Sequence, residues 1–166
     1  MDTHDLLVDA FGRIRETFEG VVDGLDPSVL NRRPSDDANP VGWLLWHLTR
    51  VQDDHVADLA GAGQAWEQWQ ERFGLENGTD DIGYGHSSEQ VAAVQISDPS
   101  LLLDYHAEVH RATLRYLDRV DEAELDRIVD RRWDPPVTAG ARLVSVIGDC
   151  LQHLGQAAYV KGLLSG

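Results

Sequence analysis

At 166 residues the chain can bury a substantial core without disulfides or a structural metal, and its single cysteine, Cys150, excludes an intrachain disulfide. A formal charge of −15 argues against a partner whose phosphate backbone must be met by a basic face. No apolar run approaches the ~20 residues of a membrane span, and the stretch MDTHDLLVDAFGRIRETF has no apolar region or cleavage site of a secretory signal. The expectation is a cytoplasmic protein of one domain, residues 1–166, that handles a small molecule.

In chain order, the first helix is predicted from about Asp2 to Gly24. Leu7, Phe11, Ile14, Phe18 and Val22 recur at three- and four-residue steps, with Arg13, Arg15, Glu16 and Glu19 mostly between them. Three prolines break the segment GLDPSVLNRRPSDDANP, in which DPSVLN forms at most one short turn. The second helix starts at Asn39–Pro40, read as an N-cap followed by proline at the first helical position, and runs to about Ala60. Between Gly61 and Gln95 the pattern weakens: QAWEQWQERF suits a short helix, ENGTDDIGYGH a loop, and SSEQVAAV opens with a capping box. A third helix follows Asp98–Pro99 and continues to about Val120 on Leu102, Tyr105, Val109, Ala112, Tyr116 and Val120. An irregular piece ending in RRWDPPVTAG leads to the fourth, from about Ala139 to Leu164. No strand pair with period-two alternation is evident, nor any internal repeat. The pattern predicts an all-α four-helix bundle with long crossover connections.

At roughly 100° per residue, His47 on the second helix shares a face with Trp43, Leu44, Val51, Asp54 and Asp58. On the fourth, Asp149 shares one with Arg142, Ser145, Val146, His153, Gln156 and Val160. A stripe serving only as core would not choose these groups, since each costs free energy when buried without a partner. Asp149 and His153 stand at i, i+4, which aims two donors at one point. His47 on a facing helix would supply a third, leaving open positions for water or substrate. Two imidazoles and a carboxylate suit Zn²⁺ and also Fe²⁺. The competing readings are a hydrogen-bonded core histidine, a plain Asp149–His153 ion pair, or a site built on His106 and His110, also at i, i+4 on the third helix.

The segments NPVGWLLWHLTRVQDDH and ARLVSVIGDCLQHLGQAAYVKGLL, in an order of parts that spans nearly the whole chain, resemble the DinB-like superfamily, which includes mycothiol-dependent maleylpyruvate isomerases and bacillithiol transferases. In that superfamily a histidine on the second helix joins a pair spaced by three residues on the fourth to bind a divalent metal. The pair is often His and His, or Glu and His in the mycothiol-dependent branch. The resemblance therefore implies His47, Asp149 and His153 as ligands of Zn²⁺, with Ni²⁺ or Fe²⁺ as alternatives, and a low-molecular-weight thiol such as mycothiol as cofactor. Aspartate departs from both patterns: it is one methylene shorter than glutamate, so either the helices approach closely or a water intervenes. Gly155, Ala157 and Ala158 are read as permitting that approach, and His106–His110 becomes a structural pair.

The remaining polar groups receive roles on the same face. Arg142 is set to clamp a substrate carboxylate or to pair with Asp54 or Asp58; Asp54 is a proton acceptor or an arginine partner. Gln156 orients a ligand or donates to Asp149. Trp43, with Trp46, Trp66 and Trp69, is expected to wall an apolar pocket beside the metal. The loop after QAWEQWQERFGL is long enough to act as a lid. Cys150 packs between helices, His86 is solvated or beside a cap, and His4 lies at the surface. Two functional readings follow: a thiol-dependent S-transferase or isomerase acting on a small molecule at a His/Asp/His metal site, or a non-enzymatic bundle that binds a ligand or dimerises around a vestigial or structural metal. A homodimer is expected in either case.

Overall fold

The computed structural model describes residues 1–165. Four long helices, α1 (Thr3–Val22), α3 (Val41–Ala60), α6 (Pro99–Leu117) and α8 (Ala139–Leu164), carry the core. Four short ones join them: α2 (Pro27–Leu30), α4 (Trp66–Phe73), α5 (Ser88–Ala93) and α7 (Glu122–Asp126). The α2, α4 and α5 segments are those with proline, tryptophan and capping-box signals, and α7 is a single turn capped by Asp121. Each long helix packs on two others, in the cyclic order α1, α6, α3, α8. Side-chain pairs set the directions. Phe18 meets His106 and His4 meets Asp118, so α1 and α6 are antiparallel. His47 meets His153 and His55 meets Arg142, so α3 and α8 are antiparallel too. Lys161 reaches the carbonyls of Val21 and Asp23, which makes α1 and α8 parallel. The result is an up-down-down-up bundle in which α1 to α3 and α6 to α8 cross the diagonal, as crossovers require.

Helix α3 is enclosed nearly all round; of its 20 residues only Asp58 is exposed. Its first turn presses so close to α2 that a Cβ on Gly42 would meet the Leu30 carbonyl oxygen at 2.9 Å. Its polar residues must therefore find partners inside the protein, and most do, Trp46 Nε1 and Arg50 Nε being exceptions. Asp53 accepts from the backbone N–H groups of Ala65 (2.9 Å) and Trp66 (2.8 Å) and from the Tyr105 hydroxyl (2.7 Å). Arg50 donates to Gln64 Oε1 (2.8 Å) and the Thr79 carbonyl (2.7 Å) and lies over the Trp66 ring. Gln52 donates to Thr113 at 2.8 Å. This network fixes α4 and the following loop onto α3.

Three expectations about the helices and strands need correction. Pro40, not Asn39, is the N-cap residue of α3, with extended backbone and no side-chain cap. A strand pair does exist: β1 (Ile128–Asp130) and β2 (Val137–Thr138) form a short antiparallel hairpin, too brief for alternation to register in sequence. Of Gly155, Ala157 and Ala158 on α8, only Ala157 is buried; Gly155 and Ala158 face outward, so they do not bring α8 onto the bundle.

Candidate metal centre

Antiparallel packing of α3 and α8 brings His47 level with Asp149 and His153, and one donor atom from each lies within 4.8 Å of the others. Each imidazole is fixed through Nδ1. That of His47 donates to the Ile82 carbonyl at 2.5 Å, and that of His153 donates to Gln156 Oε1 at 2.8 Å. Both Nε2 lone pairs are thereby left for the site, the tautomer a metal-ligating histidine needs. Asp149 Oδ1 stands 3.5 Å from His153 Nε2, while Asp149 Oδ2 is buried with no hydrogen-bond partner in the protein. A buried carboxylate oxygen without a donor is costly, and a cation beside it removes that cost. The residues present therefore fit a divalent metal. The centre is reachable from outside: the His153 and Asp149 side chains are 19% and 34% exposed, so it is not sealed by neighbours.

The surroundings shift the two imidazoles in opposite directions. Burial holds His47 below its ordinary value, with positive charge on His153 adding to the effect. The Asp149 carboxylate raises His153, helped by Gln156 and opposed by burial. Trp43 stacks on His47 with ring centroids 4.6 Å apart and presents an edge to His153. Trp46 stacks instead on His86, and Trp66 and Trp69 pack with Phe73 and Tyr105 against α6. Of the four tryptophans expected around the metal, Trp43 alone touches the candidate ligands through its ring.

The loop after α4 contributes what sequence reading missed. Gly83, at φ +88°, lies against the site so closely that a Cβ there would meet His47 Nδ1 at 2.8 Å and Trp46 Cζ3 at 3.0 Å. His86 lies beside a cap, directly before the N-cap residue Ser87 of α5, but it is not solvated. Its side chain is 4% exposed, its Nδ1 accepts from Trp43 Nε1 at 3.2 Å, and its Nε2 donates to Asp81 Oδ1 at 2.8 Å. Asp81 also accepts from Asn77 and from the Gly83 N–H. A chain of contacts thus runs from Asp81 through His86 and Trp43 to His47. The glycines and asparagine of ENGTDDIGYGH were the available signal, since positive φ at Gly83 and Gly85 marks a loop of defined shape.

The remaining expected residues fall as follows. Gln156 is exposed and accepts from His153 rather than donating to Asp149. Arg142 pairs with neither Asp54 nor Asp58; Nη1 lies 3.2 Å from His55 Nδ1 and Nη2 lies 3.7 Å from Asp130 Oδ2 on β1. Asp54 accepts from Gln64 at 2.9 Å and stands 3.2 Å from His55. Together Asp54, Asp58, Asp130, Arg132 and Arg142 line a polar groove of about 420 Å³. It lies along the α3–α8 seam two helical turns, about 10 Å, from the metal group. Cys150 is buried between helices, and burial pushes its thiol far up. His106 and His110 are buried on the α1 side; His106 stacks on Phe18, and burial lowers it to about 3, so it stays neutral. In a further cluster, Asp2, His4 and Asp5, the two carboxylates are already engaged in the capping box of α1 and His4 stands 3.5 Å from Asp118.

Among the described residues no helix is long and apolar enough to cross a membrane. No curated protein matches the sequence significantly. Among solved structures the chain is similar to a conserved protein from Enterococcus faecalis, with 33% identity, a TM-score of 0.89, and coverage of 97% of this chain and 96% of that one. The sequence profile of the DinB superfamily matches residues 10–157, from mid-α1 to the last turns of α8 and across all three candidate ligands: the chain belongs to the DinB superfamily.

Proposed function

We propose that this protein is a divalent-metal-dependent S-transferase or isomerase that works with a low-molecular-weight thiol of the mycothiol kind on a small molecule. The observation that carries the reading is Asp149 Oδ2, a buried carboxylate oxygen with no donor among the described residues, grouped with two imidazoles whose Nδ1 atoms are held by Ile82 and Gln156 and whose Nε2 atoms remain for a cation. Partial exposure of His153 and Asp149 favours a working site over a structural one, because a structural metal is closed off by its ligands.

His47, Asp149 and His153 would hold the cation, and Zn²⁺ suits this donor set best, with Ni²⁺ and Fe²⁺ next. A cation bound there would lower the pKa of a thiol placed on it and so supply a nucleophile at neutral pH. The chain's own groups do the rest. The Ile82 carbonyl and Gln156 hold the two rings in the ligating tautomer. The Trp43 face shields one side of His47 from water. Farther along the seam, Arg142 offers a guanidinium for a substrate carboxylate, and Asp54 offers an acceptor for a proton or an amine.

Metal content by mass spectrometry tests the first half of the reading. The wild type is expected to carry about one divalent ion per chain, and His47→Ala, Asp149→Ala and His153→Ala to lose it while remaining folded. The second half is tested by incubating metal-loaded protein with monochlorobimane and mycothiol, bacillithiol or glutathione in turn. Metal-dependent conjugation with one thiol supports the transferase; protein that stays empty and rejects added zinc, nickel and iron ends the reading.

A further inference from the structure

Helix α8 carries a face that the bundle does not use. Val144 (66% exposed), Leu151 (46%), Tyr159 (69%) and Leu163 (54%) project from it into solvent. Between Leu143 and Val160 the only titratable side chains besides buried Cys150 and the Tyr159 phenol are Asp149 and His153, and both lie on the metal flank. The outer faces of α1 and α6 differ: they carry Asp9, Arg13, Glu16 and Glu19, and Asp104, Arg111 and Arg115. In a chain of net charge −15, two copies repel one another generally, and a stripe without charge is the surface on which that repulsion is least.

The glycines supply an independent observation. Gly148, Gly155 and Gly162 recur at seven-residue spacing inside α8, and a Cβ built on any of them would meet no atom within 4 Å. Nothing in the bundle requires glycine at these positions, yet each weakens the helix relative to alanine. Val144, Leu151 and Ala158 recur at the same spacing beside them. A strict seven-residue repeat of this kind is the pattern by which one helix packs along another.

We infer that α8 pairs antiparallel with α8 of a second copy of this chain, about a two-fold axis level with residue 153. That register sets Val144 opposite Gly162, Leu151 opposite Gly155 and Ala158 opposite Gly148. Every layer then matches a side chain with a glycine notch, and the surface is self-complementary, as a two-fold interface must be. A parallel pair would instead set glycine against glycine and leucine against leucine, alternating voids with bulges. The stripe from residue 144 to 162 is about 27 Å long. A standard interface of about 800 Å² per partner is a patch about 30 Å across, so the length suffices, and Tyr159, Leu163 and Gln152 widen it. The same two-fold places both metal centres on one side of the pair.

Sedimentation velocity on the full chain tests the pairing. The wild type is expected at twice the 18.5 kDa chain mass, with a melting temperature that rises with protein concentration. Leu151→Glu sits on an exposed position, so it should keep the far-ultraviolet circular dichroism of the wild type and sediment as a monomer. A Gly148→Cys plus Ala158→Cys variant fixes the register. Within one chain these positions are about 15 Å apart along the helix, beyond disulfide reach, so mild oxidation should give a covalent dimer, whereas either single variant should not. A wild type that stays monomeric at several hundred micromolar overturns the inference. So does a dimer that survives Leu151→Glu, or a dimer whose double-cysteine variant does not cross-link.

Discussion

Gly83 shows how one backbone position governs the candidate centre. Its φ of +88° is left-handed, and its missing Cβ leaves room for the His47 ring and for Trp43. Gly83→Ala is expected to destabilise the fold by about 1–3 kcal/mol and to weaken metal binding about tenfold or more by displacing His47; urea melts and zinc titration calorimetry measure the two effects. The His153–Asp149 pair sets a pH dependence. With His153 raised above its ordinary value in the folded chain, the pair adds stability that is fully present below about pH 6.5 and is lost as pH rises through the raised value. His47, lowered by burial, contributes in the opposite sense. The His153 slope is therefore read as the difference between wild type and His153→Gln in metal-free melts. Metal affinity must run the other way, falling as acid protonates the imidazole. Zinc titrations between about pH 5.5 and 8 that showed no such fall would remove His153 from the ligand set.

Helix α3 shows what burial on all sides costs and how the cost is met. Arg50 and Asp53 are fully enclosed, and Asp53 holds the first two N–H groups of the α4 entry as well as Tyr105. Asp53→Ala would strand the Arg50 charge and two backbone donors, so a loss of about 3–5 kcal/mol is expected in denaturant melts. Asp53→Asn keeps one acceptor and should lose less. Hydrogen exchange should show the largest gain around α4 and Thr79, the elements this network ties down. The helix pattern of α3 was plain in the sequence, but the inward turn of its charged residues was not. Nothing local marks Arg50, Gln52 and Asp53 as buried, because α4 and the loop behind it, which cover them, are specified many residues away.

Across the bundle, a cation held by His47, Asp149 and His153 would clamp α3 to α8. Ion at a hundred times its dissociation constant should stabilise the folded chain by ~2.7 kcal/mol. At ~2–4 °C per kcal/mol for a chain of this size, the melting temperature should rise by about 5–10 °C, and Asp149→Ala should abolish the shift. The four long helices were legible from the sequence, each to within about three residues, because apolar spacing and caps such as Asp2, Asp98 and Thr138 act within one or two turns. The i, i+4 spacing of Asp149 and His153 was legible for the same reason. Residues far apart in the chain were not. Gly83 rests against His47, Arg142 pairs with Asp130 on a two-residue ladder, and His86 hydrogen-bonds Trp43 across 43 positions. Such contacts depend on where loops land once the helices have packed, and no local period encodes that. The sequence by itself determined which helices form and which side chains share a face of each. Packing decided which of those side chains meet, because the free energy of that choice comes from desolvation and hydrogen bonds between distant segments.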